Sequence, residues 1–214
     1  MDRLPRGRHG LSPEFVARNQ RERLITGLTQ TLYEVGYHET TVALIGQRAA
    51  VSKSDFYKHF ESKDDCFVAA YDAAIERIRE QVVTACEAAA EEEWVDRVDA
   101  AIAALLELFD EEPALAGIAL VEGLRAGRGI YDRYQAALES FVGILGKGAP
   151  HPQAGSGVPE ATDEAVVGGI ASLLGRRILA GEAERLNELF PEILEFTLAA
   201  YLGAEEARRI VSAG

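Results

Sequence analysis

Residues 41–64 read TVALIGQRAAVSKSDFYKHFESKD, and their apolar positions follow two short helical patterns. In the first, the apolar side of a helix of two or three turns is formed by Val42, Ile45 and Ala49. In the second, the aromatic residues recur at helical spacing as Phe56, Tyr57 and Phe60. Ser52, between them, is a good N-cap for the second helix. The stretch therefore predicts two short helices joined by a tight turn.

The rest of the chain also predicts helices. A first helix is expected from Ser12 to Glu34, stopping at Gly36, because Ser12 is followed by Pro13 and leucines recur at helical spacing. Amphipathic or apolar patterns predict further helices over 62–89, 95–109, 115–124, 131–145, 161–180 and 186–202, with a short one after Gly203. Residues 146–159 are dense in Gly and Pro and are expected to form a mobile loop. No window alternates with period two, so the sequence predicts an all-α protein.

The net charge of −13 hides an asymmetry along the chain. Residues 1–63 carry 10 Lys and Arg against 7 Asp and Glu, whereas residues 64–214 carry 12 against 28. Only the first segment, with its basic N-terminal tail, is suited to approach a polyanion, because an acidic surface is repelled by phosphates.

Composition excludes several other classes of protein. No run of apolar residues is long enough to span a bilayer, and no apolar secretory segment follows the N-terminus, so we expect a cytoplasmic protein without a membrane partner. The two cysteines, Cys66 and Cys86, are too few for a disulfide framework or a zinc site, and no metal or cofactor is expected.

Two short helices within the first 63 residues have the proportions of a helix-turn-helix unit, whose second helix enters the major groove of DNA. Helix pairs of the same length also occur in plain bundles. Spacing alone therefore leaves two functions open, a DNA-binding protein and a helical-bundle interaction protein.

Residues 41–64 closely resemble the DNA-binding signature of the TetR family of transcriptional repressors. The matching elements are the threonine that opens the first short helix, Ile45 and Ala49, Val51-Ser52 at the turn, Phe56-Tyr57 with His59-Phe60, and Ser62-Lys63-Asp64. The resemblance spans roughly residues 12–66. Two positions depart from it, since Ala50 and Ser54 stand where glycine is common, and Ala50 puts the turn geometry in question because a Cβ is disfavoured at positive φ.

The resemblance implies an all-α fold with two domains. An N-terminal three-helix helix-turn-helix DNA-binding domain, with the basic tail, is expected over 1–63. A larger helical regulatory domain for ligand binding and dimerisation is expected over 64–214, joined through the helix that begins at Ser62. The implied function is a repressor that binds a palindromic operator as a homodimer and is released by a small-molecule ligand.

Seven residues are candidates for the DNA contact. Thr41 can offer its hydroxyl and the adjoining amides to a phosphate, or act simply as an N-cap. Tyr57, His59 and Lys63 match family positions that contact the DNA backbone; each also has an ordinary packing or surface role as an alternative. Lys53, Ser54 and Asp55, near the start of the second short helix, are the candidates for reading bases, although Asp55 can equally serve as a first-turn acid that stabilises the helix dipole.

The dimer interface is expected on two helices that are apolar on more than one side, within 161–180 and 186–202. Its predicted residues are Val166, Gly169, Ile170, Leu173, Leu189, Ile193, Phe196 and Tyr201. The alternative is that both helices lie in the core of a monomer.

The ligand site is expected among the helices between Phe67 and Ala180. The candidate residues are polar or aromatic: Trp94, Phe109, Glu122, Arg125, Tyr131, Tyr134 and Arg176. If Arg125 faces the cavity, an anionic ligand is favoured.

An enzyme is the remaining alternative. The chain has four histidines, none in an H-E-x-x-H arrangement, and it lacks the G-x-S-x-G and G-x-G-x-x-G motifs. We therefore expect a regulator without catalytic activity.

Overall fold

The computed structural model describes residues 12–89, 92–125, 128–150 and 161–213, and every regular element within them is a helix. The chain divides into two compact units, one ending at Ala74 and the other running from Ile75 to Gly214. The basic tail predicted over the first residues lies outside the described ranges, and so does most of the predicted mobile loop, whose described part, 146–150, contains no helix.

The first unit contains helices α1 (Pro13–Glu39), α2 (Val42–Ala49), α3 (Lys53–His59) and the first turns of α4 (Lys63–Ala88). The Ser12 side chain caps α1 by accepting a hydrogen bond from the backbone N–H of Phe15, 3.2 Å away. Gly36 interrupts the helix with φ +74°, as its position in the sequence predicted, and one further turn follows to Glu39.

A single apolar core joins α1, α2 and α3. Its members are almost fully buried: Leu24, Leu28, Leu32, Ile45, Phe56 and Phe60. The core continues into α4 through Phe67 and Tyr71. The compact unit therefore extends eleven residues beyond the boundary expected after residue 63, because the first turns of α4 supply part of its core.

The turn between α2 and α3 brings backbone against backbone. A Cβ added to Gly46 would lie 2.7 Å from the carbonyl oxygen of Val51, and the Val51 N–H donates to the Gly46 carbonyl at 2.9 Å. Ala50 occupies the left-handed region, with φ 49° and ψ 44°. The usual glycine geometry is thus kept despite the alanine, at a steric cost of roughly 1 kcal/mol.

The second unit contains the rest of α4, α5 (Trp94–Glu111), α6 (Pro113–Gly117), α7 (Gly123–Arg125), α8 (Arg128–Leu145), α9 (Thr162–Leu179), α10 (Phe190–Leu202) and α11 (Ala204–Ala213). A π-helical turn, Ile118–Glu122, connects α6 to α7, and a 3₁₀ turn, Ala183–Leu189, precedes α10. Helix α5 packs against the 3₁₀ turn and α10, while α9 packs against α8.

Two predicted helices differ from those observed. The helix expected over 186–202 begins only at Phe190, because Pro191 lacks an N–H and is accommodated in the first turn of a helix. The helix expected over 115–124 is divided by the π-helical turn, which no simple periodicity signals. No helix within the described residues is both long and apolar enough to cross a membrane.

We expect the replacement of Ala50 by glycine to raise the free energy of unfolding of the first unit by roughly 0.5–1 kcal/mol, since the substitution removes the steric cost of the left-handed conformation. Ala43→Gly is the matched control, because Ala43 is exposed in the first turn of α2, where its conformation is helical and glycine relieves no left-handed strain.

Amide hydrogen exchange of α1 to α3 is the appropriate measurement. The single tryptophan, Trp94, lies in the second unit and does not report on the first. If Ala50→Gly accelerates exchange as much as Ala43→Gly does, the left-handed turn is not the source of strain.

Candidate nucleic-acid interface

Thr41 caps the N-terminus of α2. Its hydroxyl oxygen accepts from the Leu44 N–H at 3.2 Å, and its own backbone is extended. The Thr41 residue is exposed, and the N–H groups of Val42 and Ala43 precede the first intrahelical bonds. The N-cap role proposed from the sequence is therefore observed, and it leaves two amides oriented for an anion.

A small polar network covers the start of α3. The Ser52 hydroxyl accepts from the Asp55 N–H at 3.1 Å and donates to the Asp55 carboxylate at 2.7 Å, and Ser54 lies 2.9 Å from the same hydroxyl. The other Asp55 oxygen accepts from Lys58 Nζ at 2.6 Å. The hydrogen bonds from Lys58 and then Ser52 lower the pKa of Asp55. Both carboxylate oxygens are thus engaged within the helix, which favours the first-turn role over base reading.

Two side chains of α3 remain free on its outer side. Lys53 is exposed, and neither it nor the Tyr57 hydroxyl has a hydrogen-bond or ion-pair partner among the described residues. Tyr57 is 51% exposed and rests edge-on against Phe56, with ring centroids 5.4 Å apart. An ammonium and a phenol are both donors that phosphate or base acceptors can use.

His59 ties the end of α3 to α1. Its Nε2 lies 3.1 Å from Oε1 of Gln20, and partial burial lowers the pKa of the ring from its ordinary value. Burial therefore favours the uncharged imidazole when no DNA is bound. A DNA phosphate beside the ring would favour the charged form instead, because a nearby negative charge raises the pKa of a histidine.

Lys63 is also held by the protein. Its ammonium donates to the Tyr37 carbonyl oxygen at 2.8 Å and stands 4.1 Å above the centre of the Tyr37 ring. The Tyr37 hydroxyl donates to Asp64, and burial followed by the neighbouring carboxylate raises the pKa of that phenol. An ammonium has three donors, so Lys63 keeps capacity for a phosphate while its position is fixed.

Arg23 is a residue of this site that the sequence did not suggest. Its guanidinium donates to the carbonyl oxygens of Ala49 and Ala50, which are left free at the end of α2. A positive charge at a helix C-terminus is also favoured by the helix dipole. The contact joins residues 26 and 27 positions apart, and no local pattern marks it.

The predicted ligand residues do not form one cluster in the described contacts. Trp94 is buried, donates to the Leu145 carbonyl at 3.0 Å and packs on Tyr201, and Phe109 is also buried. Glu122 is buried beside Arg125, whose guanidinium lies 3.2 Å from the carboxylate. The other three candidates differ in exposure: Tyr131 and Arg176 are exposed and Tyr134 is half-buried, which raises its pKa.

The predicted interface residues fall into two groups. Those buried within the chain itself are Val166, Leu189, Ile193 and Tyr201. Those that remain accessible are Gly169, Ile170, Leu173 and Phe196. Phe196 is 49% exposed, yet the edge of its ring lies so close to Gly169 that an added Cβ there would be 3.2 Å away. The accessible group therefore includes both α9 and α10.

Part of the chain matches a known family of bacterial regulatory proteins. Residues 24–70 match the family model described as "Bacterial regulatory proteins, tetR family". The matched segment lies within the first unit, and the described chain has the fold of solved transcriptional regulators of that family. No match was found among curated protein sequences.

Several solved structures share this fold over nearly the whole chain. The fatty acid degradation regulator FadR from Bacillus halodurans superposes with a TM-score of 0.73 at 14% identity, covering 89% of this chain and 97% of its own. FadR from Bacillus subtilis in complex with stearoyl-CoA has a TM-score of 0.67 at 18% identity, and the match covers 85% of this chain and 98% of the FadR chain. A TetR-family transcriptional regulator from Streptomyces coelicolor has a TM-score of 0.68 at 23% identity, and the match covers 90% of this chain and 97% of that regulator. At these identities the likeness concerns the fold.

We expect Asp55→Asn to leave the preferred DNA sequence unchanged and to strengthen binding to all duplexes alike, because a charge that repels phosphates is removed while the Ser52 cap remains. Measuring affinity for several duplexes before and after the substitution tests this. A change in the preferred base at one position, with the others retained, would instead make Asp55 a base-reading residue.

Proposed function

We propose that this protein is a cytoplasmic transcriptional repressor that binds a palindromic DNA operator as a homodimer and releases it when a small-molecule ligand binds the C-terminal unit. The fold and the match of residues 24–70 to the TetR family model support this class of regulator.

The main support for DNA binding comes from the exposed residues on the outer side of α3. Phe56 and Phe60 anchor this seven-residue helix in the core, so Lys53, Ser54 and Tyr57 face away from the domain. Lys53 suits the O6 and N7 acceptors of guanine, and the Tyr57 hydroxyl suits a phosphate. The capped N-terminus of α2, with its free amides, provides a second phosphate site.

A homodimer is supported by the accessible apolar residues of α9 and α10. The Phe196 ring is half exposed on α10 and lies beside Gly169 of α9. Together with the partly exposed Ile170 and Leu173, it gives an apolar surface that a second copy can bury. Two-fold symmetry also suits the function, because paired recognition helices about 34 Å apart read a palindrome with half-sites one turn apart.

Regulation by a ligand is supported by the region around the π-helical turn. Such turns recur at functional sites, and this one carries the buried Glu122 beside Arg125. The neighbouring α9 approaches it closely, since a Cβ on Gly175 would lie 3.2 Å from the Leu120 carbonyl oxygen. One structural neighbour binds stearoyl-CoA, so acyl-CoA thioesters are the first class to examine. A ligand releases DNA only if it binds more tightly to the conformer that cannot bind DNA than to the conformer that can.

Selection of bound duplexes from random DNA tests the proposed function. We expect an enriched palindrome with half-sites about one helical turn apart. Lys53→Ala should relax the base preference at one position of each half-site, whereas Tyr57→Phe should weaken binding to all DNA sequences about equally. Recovery of no enriched sequence by the wild-type protein would contradict the proposal.

Phe196→Asp tests the dimer, because a carboxylate at the centre of the proposed interface cannot be buried without a partner. We expect the wild-type protein to sediment at about twice its 23.2 kDa and the variant at the monomer mass. Phe15→Asp is the matched control, since Phe15 is an exposed phenylalanine on α1 and its replacement should leave the dimer intact. A dimeric Phe196→Asp protein, or a wild-type monomer at micromolar concentration, would refute this interface.

A further inference from the structure

An open groove of about 460 Å³ lies between α2 and the start of α3. Three of its lining residues are exposed and belong to the two helices that flank it: Ala43 and Gln47 on α2, and Lys53 on α3. The groove therefore joins the first turn of α3, where the base-reading candidates lie, to one face of α2.

Gln47 is the one long polar side chain that α2 presents to this groove. It follows Ala43 by four residues, so the two occupy the same face of the helix. Long helical side chains point back toward the helix N-terminus and cover the surface over the preceding turn. Because Ala43 ends in a methyl group, it leaves the surface over this turn open to a longer side chain at position 47.

The Gln47 amide has no hydrogen-bond partner among the described residues, whereas several polar side chains nearby do have partners. Arg48, the next residue, forms an ion pair with Glu34, and Asp55 is held by Ser52 and Lys58. An exposed primary amide with both a donor and an acceptor is the group that pairs in bidentate fashion with adenine N6 and N7 in the major groove.

We propose that Gln47 is a second specificity-determining residue, which contacts an adenine next to the base pair read by Lys53. The inference rests on the proposed DNA-binding function and extends it from α3 to α2. In this arrangement the recognition surface is made by both helices that line the groove, and the small Ala43 side chain leaves Gln47 room to reach the base edge.

Duplex selection with three variants tests this assignment. Gln47→Ala should lose the preference for adenine at one position in each half-site, by about 5- to 150-fold, the range for one bidentate contact. Gln47→Glu should shift that position toward cytosine, whose N4 donates to a carboxylate. Gln30→Ala removes the same side chain from an exposed position on α1 and should keep the wild-type pattern.

The outcomes separate this inference from the function on which it rests. If the wild-type protein selects a palindrome and Gln47→Ala selects the same one with the same affinity, Gln47 does not contact DNA and the proposed function stands. An equal loss of affinity for all sequences makes Gln47 a phosphate contact and overturns base reading. If the wild-type protein selects nothing, the proposed function itself fails. Because Ala favours an exposed helical position, thermal unfolding of Gln47→Ala should match the wild type.

Discussion

Burial of Phe56 and Phe60 is the constraint on which the site depends. An isolated helix of seven residues is not stable in water, so α3 depends on Phe56 and on its C-cap residue Phe60. Their rings lie 5.7 Å apart and are buried in the same core as the leucines of α1 and Ile45 of α2. The same packing determines which residues of α3 face outward. Truncating Phe60 would cost about 3–5 kcal/mol, which is a large part of the stability of a domain of this size.

The turn before α3 combines a strained residue with a compensating contact. Ala50 adopts a left-handed conformation that suits glycine better, while Gly46 admits the Val51 carbonyl where no Cβ would fit. Arg23 satisfies the carbonyl oxygens of Ala49 and Ala50 and so holds the end of α2 against α1. The relative orientation of α2 and α3, and with it the groove that they share, is thus set by backbone contacts more than by exposed side chains.

Much of the first unit could be predicted from the sequence because its signals are local. Helical spacing indicated the apolar positions Ile45, Ala49, Phe56 and Phe60, which are buried, and Ser12 and Ser52 marked helix starts. Contacts between distant residues carry no local signal, so the pairing of His59 with Gln20 was not foreseen. In the second unit, a buried and an exposed apolar residue look alike in sequence. Phe196 and Ile193 were predicted together, yet only Phe196 remains accessible.

The acidic second unit makes binding to DNA depend on a small, well-placed set of cationic and polar groups. The most direct test is the affinity of the full-length protein for a fluorescent duplex, measured by anisotropy over a range of salt concentrations. The account predicts binding at low ionic strength, with the logarithm of the association constant falling linearly with the logarithm of salt concentration as counterions are released. Failure to bind any duplex at the lowest salt concentration would contradict it.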